Sequence, residues 1–143
     1  LTRPAIVWAR FVEDVKVCEA VARAAGRKPV VWNGNDPAAS LDPFHAGDAD
    51  TFIANLESNA REGLTLNEAS TTIYYSNTPK LLNRLQSEDR NHRIGQTRSV
   101  TYIDLLAEGT LDEHVLSTLR KKRDTAGTVL GDDVRDWLME ALS

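Results

Sequence analysis

The chain has 143 residues, a formal net charge of −4, 41% hydrophobic residues and 27% charged residues. These proportions exclude a disordered, collagen-like or coiled-coil chain. The length suits one domain that buries roughly two-thirds of its unfolded surface. No apolar run approaches the roughly 18 residues of a membrane span, and no basic-then-apolar leader opens the chain, so the expectation is an intracellular protein with no membrane partner. One cysteine and three scattered histidines give neither an internal disulfide nor zinc spacing. The chain opens at Leu1, directly ahead of an apolar run, and is expected to be a piece of a longer polypeptide.

Short apolar runs alternate with helical patterns, which predicts an α/β fold around a mostly parallel sheet. The first strand is Ala5-Ile6-Val7-Trp8. A helix follows in which Cys18, Val21, Ala22 and Ala25 recur on one face, with Gly26 as its stop. Val30-Val31-Trp32 is a second strand, closed by the turn residues Asn33-Gly34-Asn35-Asp36-Pro37. Residues 37–50 read as a loop with at most one helical turn. Thr51 to Leu56 is a third strand, and the β-branched and aromatic run Thr71 to Tyr75 is a fourth. Thr78 and Pro79 suit the N-cap and first position of a helix. Val100 to Leu106 is a fifth strand. Thr110 and Glu113 form a capping box for a helix lined by Leu111, Val115, Leu116 and Leu119. Residues 1–125 are expected to form the domain, and 126–143 an amphipathic helical extension carrying Val134, Trp137 and Leu138.

Charge is segregated along the chain. Six acids and Arg61 alone lie between Asp36 and Glu62, whereas Lys80, Arg84, Arg90, Arg93 and Arg98 outnumber Glu88 and Asp89. Arg120 to Arg123 form a second basic block at a helix end, where the macrodipole favours positive charge. A basic face for nucleic acid is therefore permitted despite the negative total. Trp8, Trp32 and Trp137 sit in apolar stripes and are expected in the core. Cys18 belongs to a helical core face and is expected to be inert.

The informative stretch is Gln86-Ser87-Glu88-Asp89-Arg90-Asn91-His92-Arg93-Ile94-Gly95-Gln96. On a continuous helix, Gln86, Arg90 and Arg93 fall within about 60° of one another, beside Leu81, Leu82 and Leu85. Two fixed guanidinium forks suit phosphate oxygens, because they stay charged and bond in a bidentate way. The same spacing also fits a solvated basic face whose arginines pair locally with Glu88 and Asp89. On either account the two arginines project from the helix, and truncating them is expected to spare the core.

This stretch, followed by the strand VTYIDLL and then by GTLDEHVLSTLRKK, resembles the last helicase motif of the Swi/Snf-type DNA-dependent ATPases. Gly63-Leu64-Thr65-Leu66-Asn67-Glu68-Ala69 resembles the fifth motif of that family. AIVWARFVEDV and VVWNGND resemble the fourth motif and the strand that follows it. The resemblance runs from about Ile6 to Lys122 and implies the second, C-terminal RecA-like lobe of such a motor. Thr65 stands where the family commonly has asparagine, and Asn59-Ala60-Arg61-Glu62 replaces its small, glycine-rich run.

By that resemblance, Arg90 and Arg93 would be arginine fingers and Gln86 would help lock the closed interface. Gly63 and Leu64 would touch nucleotide, and Arg10, Asn33, Gly34, Ser58 and Thr65 would contact double-stranded DNA. None of the eight glycines is followed by lysine, so the phosphate loop that holds ATP and Mg2+ is expected on an N-terminal lobe of the same polypeptide. Asp112-Glu113-His114 follows a capping threonine within a helix, so no metal site is expected there. A non-catalytic RecA-like binding module and an RNA helicase lobe are the alternatives. A chain of this family would be cytoplasmic in a prokaryote or phage and nuclear in a eukaryote.

Overall fold

A computed structural model describes residues 4–32, 37–57, 65–91 and 96–130. Its elements are β1 (Ala5–Ala9), α1 (Val12–Ala24), β2 (Pro29–Trp32), α2 (Pro37–Ala46), β3 (Thr51–Asn55), β4 (Thr71–Tyr74), α3 (Leu81–Asp89), β5 (Thr101–Asp104) and α4 (Leu111–Leu130). All four strand pairings are parallel, and the sheet order is β2-β3-β1-β4-β5. The chain thus builds outward from β1 to one edge, returns beside it, then crosses to the other side. Parallel strands need covered faces, because their connections run back over the sheet.

Strand alternation divides the core into two layers. Ile6, Trp8, Trp32, Phe52, Ala54 and Tyr74 point to one face, where Phe44 of α2 packs among them. Ala9 and Ile53 point to the other, where Val15, Cys18 and Ala22 of α1 meet them. Phe52 lies within 6.2 Å of the rings of Trp8, Trp32 and Phe44, so one phenylalanine joins three elements. Burial raises the Cys18 thiol to about 11, with the Asp14 carboxylate adding to the effect, and the thiol stays protonated at neutral pH.

Four local expectations are corrected. Residues 37–46 form a helix instead of a loop, because Phe44 fills the hollow over Trp32 and Phe52 and that burial outweighs the prolines. Val21 is 62% exposed, since the inward arc of α1 is Val15, Cys18 and Ala22. α3 starts at Leu81, two residues later than expected; the Thr78 hydroxyl accepts a hydrogen bond from the Lys80 N–H at 3.2 Å and closes a turn ahead of the helix. At the start of α4 Thr110 caps the helix, but its hydroxyl accepts from the Asp112 N–H instead of that of Glu113, and the carboxylate of Asp112, not Glu113, accepts a backbone bond, from the Ala107 N–H. Leu111 is correspondingly exposed, and Leu116 and Leu119 supply the buried stripe. The expected division at 125/126 falls inside α4, and the rest of the expected extension lies outside the described residues.

Two residues past the end of α1, at Gly26, the expected stop is built as a paired hydrogen-bond cap. The Arg27 N–H reaches the Ala22 carbonyl at 3.0 Å and the Gly26 N–H reaches Arg23 at 3.1 Å. This geometry sets Gly26 at φ +76°, with open space where a Cβ would stand. Gly26→Ala should therefore cost about 1–2 kcal/mol from backbone strain alone, and urea unfolding of both chains measures it. An unchanged midpoint would mean that the cap relaxes.

Candidate functional site

Open parallel sheets bind ligands at the carboxyl ends of their strands, where the strand order reverses. Here that point lies at β1, between β3 and β4. The ends are tied together by side chains. The Arg10 N–H donates to Ser76 Oγ at 2.7 Å, and Ser76 donates to Asp14 at 2.8 Å. The Asn55 amide donates to the Arg10 carbonyl at 2.9 Å, and its Oδ1 accepts from the Glu57 N–H. Arg10, the DNA-contact candidate just past β1, is therefore fixed through its backbone, with its side chain 31% exposed and its Nε 3.8 Å from Glu57.

A buried charge network fastens α3 to the sheet beside this edge. The Arg84 guanidinium lies 3.5 Å from the centre of the Tyr74 ring. It donates to Glu88 at 3.1 Å, to Asn77 at 2.7 Å and to both oxygens of Asp104. Glu88, 3% exposed, also receives Arg123 from α4 at 3.1 Å. The Tyr74 hydroxyl pairs with Ser87 at 2.7 Å, and the Tyr102 hydroxyl donates to the Glu88 carbonyl. Burial alone would push the Asp104 carboxyl up. The hydrogen bond and charge of Arg84 override it, with the Asn77 amide and Arg120 assisting, and hold Asp104 below the usual carboxylate range. Burial likewise opposes the Arg84 charge, and its bond to Asp104 together with the charges of Tyr74, Asp104 and Glu88 more than restores it. The basic run from Lys80 to Arg98 is thus not one solvated face, because Arg84 is neutralised inside the domain.

The last turn of α3 carries the two segments that the family resemblance singled out into contact. The Arg90 carbonyl accepts from the Leu66 N–H at 2.7 Å. Asn91 is fully buried, and its amide donates to Thr72 at 3.0 Å and to the Ala69 carbonyl at 3.3 Å. The Gln96 amide faces the carbonyls of Asn67, Ala69 and Asn91 at 3.0–3.2 Å. Arg98 donates to the Glu68 carbonyl at 2.5 Å. Residues 65–69 therefore form one hydrogen-bonded edge with Arg90, Asn91, Gln96 and Arg98.

Arg90 itself departs from expectation. It is 4% exposed, although as the C-cap of α3 it keeps helical backbone angles (φ −62°, ψ −33°). The Leu66–Ala69 segment meets this end of the helix through the Arg90 carbonyl, and helical spacing carries no information about such long-range packing. Gln86 is half-buried, and its Oε1 accepts no hydrogen bond among the described residues. Thr65 is exposed at the near end of the joined edge. Arg93, Gly63, Leu64, Asn33, Gly34 and Ser58 lie outside the described residues. Sequence reasoning missed Arg84, Asn77 and Asp104 as a unit. The spacing of Arg84 and Glu88 was a usable signal, whereas Asp104 reaches them only through β4–β5 pairing. Among the described residues no group of three histidines, cysteines or acids could hold a metal ion, and no helix is long and apolar enough to cross a membrane.

An all-parallel five-stranded sheet with helices on both faces, its ligand edge at the central strand, defines a RecA-like α/β domain. Its fold is shared with the crystal structure of the C-terminal part of the Fun30 ATPase domain, with a TM-score of 0.74 over 98% of this chain and 48% of that one, at 20% identity. No protein-family model matches. The sequence is 37% identical over 83 residues to the chromatin-remodelling ATPase INO80 of Cryptococcus neoformans, which covers 57% of this chain and 5% of that protein. It is 34% identical over 97 residues, 67% of this chain and 6% of that protein, to the SWI/SNF chromatin-remodelling complex subunit snf22 of Schizosaccharomyces pombe. Over 137 residues, 90% of this chain and 14% of that protein, it is 35% identical to a Xenopus tropicalis SWI/SNF-related regulator of chromatin, subfamily A, containing DEAD/H box 1. The chain is homologous to the Swi/Snf-type remodelling ATPases, in their C-terminal RecA-like lobe. It spans only a small part of the length of these relatives.

Two outcomes test the buried network. Arg84→Ala removes the guanidinium that Asp104 and Glu88 share, leaving Asp104 with the Asn77 amide, and should cost about 3 kcal/mol in denaturant unfolding, as broken buried pairs do. Arg84→Lys should recover little of this, since one ammonium cannot reach three partners in a plane. Asp104 has a depressed folded pKa, so its contribution is complete above the ordinary carboxylate value and lost as pH falls through the lower folded one. The stability gap between wild type and Asp104→Asn should be constant from about pH 7 to 5 and close below about pH 4. A gap that does not change with pH would contradict the pairing.

Proposed function

We propose that this chain is the second motor lobe of an ATP-dependent double-stranded DNA translocase, and that it supplies arginine fingers to a nucleotide held by an N-terminal lobe of the same polypeptide. The observation that carries this reading is the joined edge. Residues 65–69, which resemble one helicase motif, are bonded to Arg90, Asn91 and Gln96, which belong to a stretch that resembles another. A pair of motifs that must act on one nucleotide needs such a rigid relation, because catalysis by positioning fails when groups drift by about 1 Å.

In this mechanism Arg93 and Arg90 neutralise charge that develops on the γ-phosphoryl group as the lobes close. Gln86, with a buried acceptor oxygen unused among the described residues, locks the closed interface. Because the arginines and the phosphate loop sit on different lobes, hydrolysis is linked to closure, and cyclic closure moves the DNA held at Arg10 and Thr65. The described residues offer no acidic cluster for Mg2+; the metal would be held on the N-terminal lobe, and no step is assigned to it here.

DNA-stimulated ATP hydrolysis by the full-length protein tests the reading. Arg93→Ala should lower turnover by about 10³-fold or more, as loss of an arginine finger does, with a much smaller change in ATP affinity. Arg90→Ala should lower both turnover and melting temperature, since Arg90 is buried. The 143-residue chain alone should show no hydrolysis. Near-wild-type turnover in Arg93→Ala, or turnover by the chain alone, would overturn the assignment.

A further inference from the structure

Glu57, just past the end of β3, is surrounded by three donors: Arg10 after β1, and Thr78 and Lys80 in the β4–α3 connection. Its Oε1 accepts from the Thr78 hydroxyl at 3.2 Å and lies 3.8 Å from both Arg10 Nε and Lys80 Nζ. The three donors differ in character. Thr78 is fully buried and fixed, its oxygen also accepting from the Lys80 N–H. Arg10 is anchored through its backbone and lies 5.0 Å from the Phe11 ring centre. Lys80 is 64% exposed at the rim. One carboxylate oxygen thus occupies a position where two cations and an inward hydroxyl converge.

That arrangement is the donor set of a phosphate oxygen, with a carboxylate standing in it. We propose that Arg10, Thr78 and Lys80 form a binding site for a backbone phosphate of nucleic acid, and that Glu57 fills this site as an internal substitute until nucleic acid displaces it. The proposal rests on the DNA-translocase reading and adds to it two contacts and a competing anion. A backbone phosphodiester suits the site better than a free nucleotide, because Arg10, Glu57 and Lys80 lie open at the surface, 31–64% exposed, and do not enclose a ligand. Glu57 has somewhere to go: it borders a groove of about 490 Å³ beside α1, which Lys16 also lines.

The competing anion makes a prediction opposite to that of simple charge loss. Binding of a fluorescent 20-base-pair duplex to the 143-residue chain is measured by anisotropy as a function of salt. Glu57→Gln should tighten binding about fivefold at low salt, since the exposed pairs it breaks are individually weak. Lys80→Ala should weaken binding and reduce the slope of log K against log salt by about one. Thr78→Val keeps the shape and removes a neutral donor, so it should weaken binding with the slope unchanged. Thermal melting of each variant confirms that it is folded. If wild type binds duplex and Glu57→Gln is no tighter, the substitute role is wrong and the DNA reading stands. If neither wild type nor Glu57→Gln binds duplex, the DNA reading falls and takes the site with it. If Glu57→Gln instead tightens inorganic phosphate or ATP and leaves the duplex unchanged, the site serves a free phosphate and the backbone assignment is overturned.

Discussion

A guanidinium buried beneath a helix determines how the rest of this domain is arranged. Arg84 cannot be left alone in the interior, where an uncompensated charge would cost several kcal/mol. It therefore collects Glu88 from its own helix, Asp104 from β5, Asn77 from the β4–α3 turn and the ring face of Tyr74. Those partners come from α3 itself, β5, the β4–α3 turn and β4, and permit one placement of α3 over the sheet. Arg123 adds α4 to the same cluster through Glu88. An apolar stripe would let a nine-residue helix rock; a planar ion cluster with fixed hydrogen-bond directions does not.

The placement of α3 decides where it ends. At Arg90 the chain turns into the space between the Leu66–Ala69 turn and β4, and Asn91 is carried to complete burial against Thr72. The Gln96 amide then closes onto the carbonyls of Asn67 and Ala69. Positioning therefore passes from the Arg84 cluster, through the last turn of α3, to an edge built from two distant segments. If the chain is the second lobe of a translocase, that edge is what an opposing lobe would close against. The carboxyl ends of β1, β3 and β4 form a second polar edge, held by Ser76, Asn55 and Glu57. Both edges are fastened to one rigid sheet, which is the physical requirement for coupling a nucleotide to a track.

The strands were legible because their apolar runs are short and bounded by turn residues, and all five appear within a few residues of the expected limits. α2 was not, since its prolines and aspartate speak against a helix while its one decisive residue, Phe44, acts through contacts with Trp32 and Phe52. The family resemblance drew attention to residues 86–96. Helical spacing holds through Arg90, whose backbone angles are helical, but spacing says nothing of the Leu66–Ala69 segment that meets this end of α3, and Arg90 is buried. Thr78 was recognised as a cap, but its second bond, to Glu57, depends on the neighbouring positions of β3 and β4. Asp104 has no sequence signal at all, because its partner lies 20 residues away and the two meet only through strand pairing.

The dependence of the joined edge on its side-chain stitches is the claim on which the rest stands, and native-state hydrogen exchange of Gln96→Ala reads it directly. Removing the Gln96 amide deletes its bonds to Asn67, Ala69 and Asn91 and leaves the β1–β3 core untouched. The Leu66 amide, bonded to the Arg90 carbonyl, should then exchange about tenfold faster or more, consistent with the loss of one or two net hydrogen bonds. The Ile53 amide in β3 should keep its wild-type protection. Equal protection of Leu66 in both proteins would contradict the account, because residues 65–69 would then hold their relation to Arg90 and Asn91 without the Gln96 bonds.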